Sequence, residues 1–206
     1  MTEPATATTE PATRLFCIVA RSAPVAVVFR RGPTKQVQLL RWNLTNDSFV
    51  SGQWLKGRIY ERRCDLSPSG DLLLYFAANY RKPYYSWTAI SRPPYLTALA
   101  LWPKGDIWGG GGVMNSERWM QLNHRDSEMS LAPDFKTPKN FRVSQWGEHP
   151  GWGEDYPIYE HRFQRDGWER LDVGDFKEMH SRGRHLAFEK KHETYSHFWR
   201  VNFVPK

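Results

Sequence analysis

The residues that could carry chemistry in this chain are its histidines, its clustered carboxylates, one serine turn and one run of glycines. His192 and Glu193 open the run HETYSH, and its second histidine, His197, follows five residues after the first. A zinc-binding helix of the HExxH type needs a spacing of four, which returns to one helical face; five residues turn about 140°, and on a strand an odd offset points to the opposite side. His180 and His185 share the same unsuitable spacing, so the sequence assigns no metal and no cofactor. Glu154 and Asp155 lie near His149 in a glycine-rich loop, a set that contains an acid, a base and an orienting group. Ser67 precedes a proline in a turn and is not in a GxSxG elbow, so no nucleophile is marked. Gly109 to Gly112 would leave backbone N–H groups unhindered, yet Val113-Met114-Asn115 supplies neither the Lys-Ser/Thr of a P-loop nor the spacing of a dinucleotide turn. The expected role of these glycines is a bulge or a close approach of backbone to a neighbour, packed under Trp102 or Trp108.

A binding surface is better supported. Arg81, Tyr84, Tyr85, Trp87, Arg92, Tyr95, Trp102 and Trp108 interleave cations with aromatic rings, a pattern suited to stacking on a ligand while neutralising its charge. Pro83, Pro93, Pro94 and Pro103 remove backbone donors from the same segment, which places it at sheet edges and loops rather than in a central strand. The competing reading is a core, since Tyr85 and Trp87 alternate as one face of a strand would.

Charge sharpens the choice of partner. The net charge is +7, and residues 1–104 hold 14 Lys/Arg against 6 Asp/Glu while residues 105–206 hold 15 against 16. A basic half attracts phosphates or an acidic partner, although Lys and Arg also protect strand edges from pairing. The leading expectation is a non-catalytic binding or protein-interaction module for a protein or an anionic ligand. The alternatives are a hydrolase-like enzyme using the 146–156 loop and a nucleic-acid-binding protein using the basic N-terminal half.

The elements that must position these residues read as strands. Ten Trp, 9 Tyr and 11 Phe, with 15 Gly and 14 Pro, favour pleated half-buried surfaces joined by many turns. Leu15–Ala20 and Val25–Arg30 form an opening hairpin, Gln36–Trp42 a third strand and Phe49–Leu55 a fourth. The stretch from Tyr60 to Ala78 reads strand, turn, strand, with Ser67-Pro68-Ser69-Gly70-Asp71 as the turn. Tyr95–Trp102 is a further strand, Ser116–His124 a short helix or strand, and 125–140 a loop. A hairpin is expected across Asp166-Gly167 within 157–172, a short helix within 174–183, and a last hairpin from 184–190 and 196–204.

The turn Leu66-Ser67-Pro68-Ser69-Gly70-Asp71 with the following LLLYFA resembles the Ser-Pro-Asp-Gly turn and apolar strand in blades of TolB-type β-propellers, with Ser69 in place of the usual Asp. The resemblance covers about twenty residues and implies propeller-like sheets. Ile158–Arg162 echoes Ile59–Arg63 and suggests a duplication. The expected fold is all-β, of antiparallel sheets that are propeller-like or form a two-sheet sandwich or open barrel. Residues 1–13 are expected to be a disordered tail and 14–206 a single domain, with a subdivision, if any, near 125–140. Cys17 and Cys64 sit in apolar runs as free thiols, no secretory or membrane-spanning segment is visible, and the expected compartment is the cytoplasm.

Overall fold

The computed structural model describes residues 13–32, 35–147, 156–166, 168–170 and 203–205. The chain divides into two compact units, residues 1–152 and 153–206. In the first, β1 (Arg14–Val19), β2 (Val25–Arg31), β3 (Gln36–Asn43) and β4 (Ser48–Lys56) form an antiparallel meander in sequence order. Alternation decides its faces: Phe16, Phe29 and Leu39 stand opposite one another across three strands, and with Val27 and Val37 they turn inward.

A second sheet follows directly. β5 (Arg58–Ile59) and β6 (Asp65–Leu66) pair with the two ends of β7 (Leu73–Ala78), and β8 (Ser86–Ser91) and β9 (Ala100–Pro103) continue the order antiparallel. Between β5 and β6 the edge breaks into a single 3-10 turn, Glu61–Arg63, so the expected strand at Tyr60–Leu66 is reduced to two residues. The 67–71 turn and the apolar strand after it form as read. Every residue of β7 is buried, because β7 is covered on both faces. Leu73, Tyr75 and Ala77 pack towards the first sheet, and Leu74 packs with Ile90, Ala100 and Trp102 in a second cluster on the opposite face.

That second cluster is closed by a third sheet of β10 (Gly112–Met114), β11 (Trp119–Leu122) and β12 (Arg142–Gln145), which contributes Met114, Met120 and Leu122. β10 and β11 are antiparallel, whereas β12 returns parallel to β11 after the 123–141 connection. Ser116–His124 is therefore a strand at its centre, and the 125–140 loop is tied to the first unit where the Ala132 N–H donates to the Leu101 carbonyl. The unit is all-β and sandwich-like, three layers deep, and none of its sheets closes into a barrel. Tyr95–Leu99 is not a strand as expected. It is chain without regular structure, bent at Leu99 and held by Gln53, whose Oε1 accepts the Leu96 N–H at 2.7 Å, and by the Tyr75 hydroxyl donating to the Leu96 carbonyl at 2.6 Å.

The second unit contains α1 (Tyr156–Arg165), β13 (Trp168–Arg170) and β14 (Phe203–Pro205), the two strands pairing antiparallel. The hairpin expected across Asp166-Gly167 is corrected to a helix followed by a strand. Pro157 suits the first turn, where its missing N–H would have no partner, and Ile158, Tyr159 and Arg162 fall on one buried helical face. The echo of Ile59–Arg63 at Ile158–Arg162 is thus not a structural repeat, since the one stretch is strand and 3-10 turn and the other is helix. The helix expected within 174–183 and most of the final hairpin lie outside the described residues. Both cysteines are free thiols, and among the described residues no helix is long and apolar enough to cross a membrane.

The glycine run makes the close approach expected of it, but not beneath Trp102 or Trp108. Gly109, Gly110 and Gly111 all adopt positive φ, at 67°, 80° and 73°. A Cβ on Gly110 would lie 2.4 Å from the Phe76 ring, and one on Gly111 would lie 2.0 Å from the Arg63 carbonyl oxygen. Gly111→Ala must therefore push backbone from backbone and is expected to cost more than about 3 kcal/mol in urea unfolding, the range of severe overpacking. Gly105→Ala, at φ +80° with nothing within 4 Å, should cost only the left-handed strain of about 1 kcal/mol. Equal losses at the two positions would show that backbone conformation, not the close approach, governs this loop.

Candidate functional site

Five basic residues of the N-terminal half are gathered by strand ends. Arg31 closes β2, Lys35 precedes β3, Lys56 closes β4 and Arg58 opens β5, while Asn79, Tyr80 and Arg81 leave the end of β7. Pairing brings these ends together: Gln36 stands opposite Lys56, Arg58 opposite Ala78, and the Gly57 N–H donates to the Lys35 carbonyl at 2.8 Å. The result is a cleft of about 850 Å³ lined by Arg31, Lys35, Lys56, Gly57, Arg58, Asn79, Tyr80 and Arg81. Gly57 is required at its floor, where a Cβ would come within 2.5 Å of the Ala78 carbonyl oxygen.

The five cations do not have equal freedom. Arg31 is anchored, donating to the Ile59 carbonyl at 2.9 Å and pairing with Glu61 at 2.8 Å. Among the described residues, no carboxylate pairs with Lys35, Lys56, Arg58 or Arg81. Arg58 lies over the Tyr60 ring at 4.4 Å, and the Tyr60 and Tyr80 hydroxyls share a hydrogen bond of 2.9 Å. Burial, reinforced by that bond, pushes the Tyr60 phenol above its ordinary range despite the nearby Arg58 and Arg63, so Tyr60 adds no negative charge to the cleft.

Aromatic rings stand at the same end of the second sheet. Tyr80 and Tyr85 take positive φ, 60° and 62°, which is uncommon for bulky residues, and their rings meet edge to face at 5.2 Å. The conformation is fixed by backbone: the Asn79 and Tyr80 N–H groups both donate to the Tyr85 carbonyl, and the Tyr85 N–H donates to Arg81. Trp108 sits on the neighbouring 104–111 loop, joined to this end because the Lys104 N–H donates to the Ser86 carbonyl and the Ser86 hydroxyl donates to the Asp106 carbonyl. That loop is firmly held. The Asp106 carboxylate accepts the Trp108 N–H at 2.9 Å and bonds Lys104 Nζ at 2.7 Å, and Lys104 also bonds Glu128 at 2.7 Å. Burial alone would raise the Asp106 carboxyl, but Lys104, the Trp108 N–H and Arg125 outweigh it and hold it below the usual range.

The segment expected to form one surface is divided by β8. Arg81 lines the cleft, Tyr85 is exposed beside it and Trp108 is exposed on the adjoining loop, whereas Arg92 and Tyr95 lie beyond the far end of β8, about 20 Å away for a six-residue strand. Tyr84 and Trp87 pack against the main core instead of facing a ligand. Trp102 is a correction: at 2% exposure it belongs to the second core, because its position opposite Thr88 faces the third sheet. The acid–base set at His149, Glu154 and Asp155 and the histidines at 180, 185, 192 and 197 lie outside the described residues. Sequence reading missed Arg31, Lys35, Lys56, Arg58 and Tyr80; a usable signal was the basic residues flanking Gly32 and Gly57 at successive strand ends. Neither family models, nor curated proteins, nor solved structures give a match to this chain.

Behind the 104–111 loop a buried histidine completes its support. His124 Nδ1 is 3.0 Å from the Glu128 carbonyl and so carries the proton, leaving Nε2 to accept from the Thr88 hydroxyl at 2.7 Å, while Thr88 Oγ1 in turn accepts the Gly111 N–H at 2.8 Å. Burial drives the imidazole from 6.5 down to about 4, although the Glu128 carbonyl and carboxylate pull the other way. The unfolded chain therefore takes up this proton first. Stability from neutral His124 is complete above pH 6.5 and is lost as pH falls towards 4, by up to about 3 kcal/mol. Urea midpoints measured from pH 7 to 4.5 should fall more steeply in the native protein than in His124→Gln. Parallel curves would assign the acid sensitivity to other groups.

Proposed function

We propose that this chain is a non-catalytic binding module that captures an anionic ligand in the cleft at the shared end of its first two sheets. One observation carries the reading: the cleft is lined by five cations, and four of them have no carboxylate partner among the described residues. Like charges brought together raise the local potential, and the low-dielectric walls of a cleft focus it, so an incoming anion is both steered and held. Arg58 and Arg81 present planar forks suited to phosphate or carboxylate oxygens, while Lys35 and Lys56 act as point charges. The resemblance to a TolB-type blade belongs to the same proposal. It is supported by two meanders that follow each other in sequence and pack face to face, an arrangement in which strand ends and loops gather on one rim.

The test is charge reversal at each end of β8. Binding of inorganic polyphosphate, followed by calorimetry at low salt, should weaken at least tenfold in Lys35→Glu/Arg81→Glu and should fall steeply as salt rises. Arg92→Glu, beyond the other end of the strand, should bind as the native protein does. The melting temperature of both variants should move little, since these side chains are exposed. Equal weakening by Arg92→Glu would reduce the effect to net charge and remove the case for the cleft.

A further inference from the structure

We infer that the ligand of this cleft is a single nucleic-acid strand, an inference that rests on the anion-binding reading above. The cations account for phosphates of any origin. The aromatic rings at the same end of the second sheet, of which Tyr80 lines the cleft itself, narrow the choice. Tyr80, Tyr85 and Trp108 are 44%, 42% and 57% exposed, although each is a large apolar surface. They are also rigidly mounted: the two tyrosines by backbone bonds that impose left-handed conformations, and Trp108 by Asp106 and by Arg63, which donates to the Ile107 and Gly109 carbonyls on either side of it. Strained, fixed and exposed rings are costly for stability alone, and outliers of this kind gather at binding sites. Rings that are held in place offer contact area with little entropy left to lose.

A single strand needs both features at once, a groove of cations along the backbone and flat rings on which successive bases stack. The other phosphate-bearing classes use only part of this surface. In a duplex the base faces are already stacked on one another, so the three rings would find no partner. A lipid surface is flat and would not reach cations lining a concave cleft. A phosphopeptide presents isolated dianions, whereas here cations come from four separate strand ends and a loop. Asp106, the carboxylate nearest Trp108 in the loop, is already engaged by Lys104 and Arg125 and so opposes a strand little.

The experiment is fluorescence anisotropy with a labelled oligothymidylate of about twelve nucleotides, within the range one small binding domain covers. It is run against the matching duplex, inorganic polyphosphate of equal charge and phosphatidylserine vesicles as competitors, at one salt concentration. The oligothymidylate should bind at least tenfold more tightly than the polyphosphate or the duplex. Tyr85→Asn/Trp108→Ala, which changes no residue lining the cleft, should lower its affinity about tenfold or more and leave polyphosphate binding unchanged, because each ring removed is one on which a base would stack. Asn tolerates the left-handed backbone at position 85, and Trp108→Ala alone provides a second variant should the first not fold. Polyphosphate bound as tightly as the oligonucleotide, with the aromatic variants silent, would overturn the single-strand assignment and leave the anion reading standing. Preference for the duplex or for vesicles would overturn it as well. Binding of none of these polyanions would defeat both.

Discussion

The buried guanidinium of Arg63 is the constraint on which the functional end of the molecule depends. At 2% exposure it is a charge removed from water, which is costly unless its donors are satisfied. It meets the requirement with the Ile107 and Gly109 carbonyls, at 2.7 and 2.6 Å, and lies over the rings of Tyr60 and Phe76 at 4.7 and 5.4 Å. These contacts are geometrically demanding. The 107–111 chain must come close enough for its carbonyls to reach the guanidinium, and only residues without a Cβ fit between Arg63 and Phe76. The glycine run is thus the complement of one arginine.

From that contact the rest of the end is assembled. Tyr60 is held between Arg63 and Arg58, and its hydroxyl fixes Tyr80 at the wall of the cleft. On the other side, Gly111 donates to Thr88, Thr88 to His124, and His124 to Glu128, so the loop carrying Trp108 is continuous with a buried polar chain in which every partner is satisfied. Such chains fix one arrangement because an alternative would leave a buried group unpaired. The aromatic rim and the basic cleft consequently share one rigid support, the central sheet, although their residues come from distant parts of the sequence.

The burial of β7 on both faces explains why this support is stiff. Leu73, Tyr75 and Ala77 belong to the core shared with the first sheet, while on the opposite face Leu74 joins the core shared with the third and Phe76 and Ala78 pack with Tyr60. The central strand cannot move without opening both.

What the sequence determined by itself was local. Alternation of Val27, Phe29, Val37 and Leu39, the 67–71 turn and the continuous apolar run of β7 are properties of neighbouring residues, so the strands, the all-β class and the free thiols were legible. The glycine run was legible as a close approach, but its neighbour was not, since Arg63 and Phe76 are remote in sequence. The 157–165 stretch was misread because an Asp-Gly pair outweighed the helical spacing of Ile158, Tyr159 and Arg162. Tertiary structure alone decided the site. Arg81 and Arg92 are close in sequence but separated by the length of β8, while Arg31, Lys35, Lys56, Arg58 and Arg81 are scattered over fifty residues and meet because strand pairing aligns their ends. Strand direction and register, which no short stretch encodes, set which charges become neighbours.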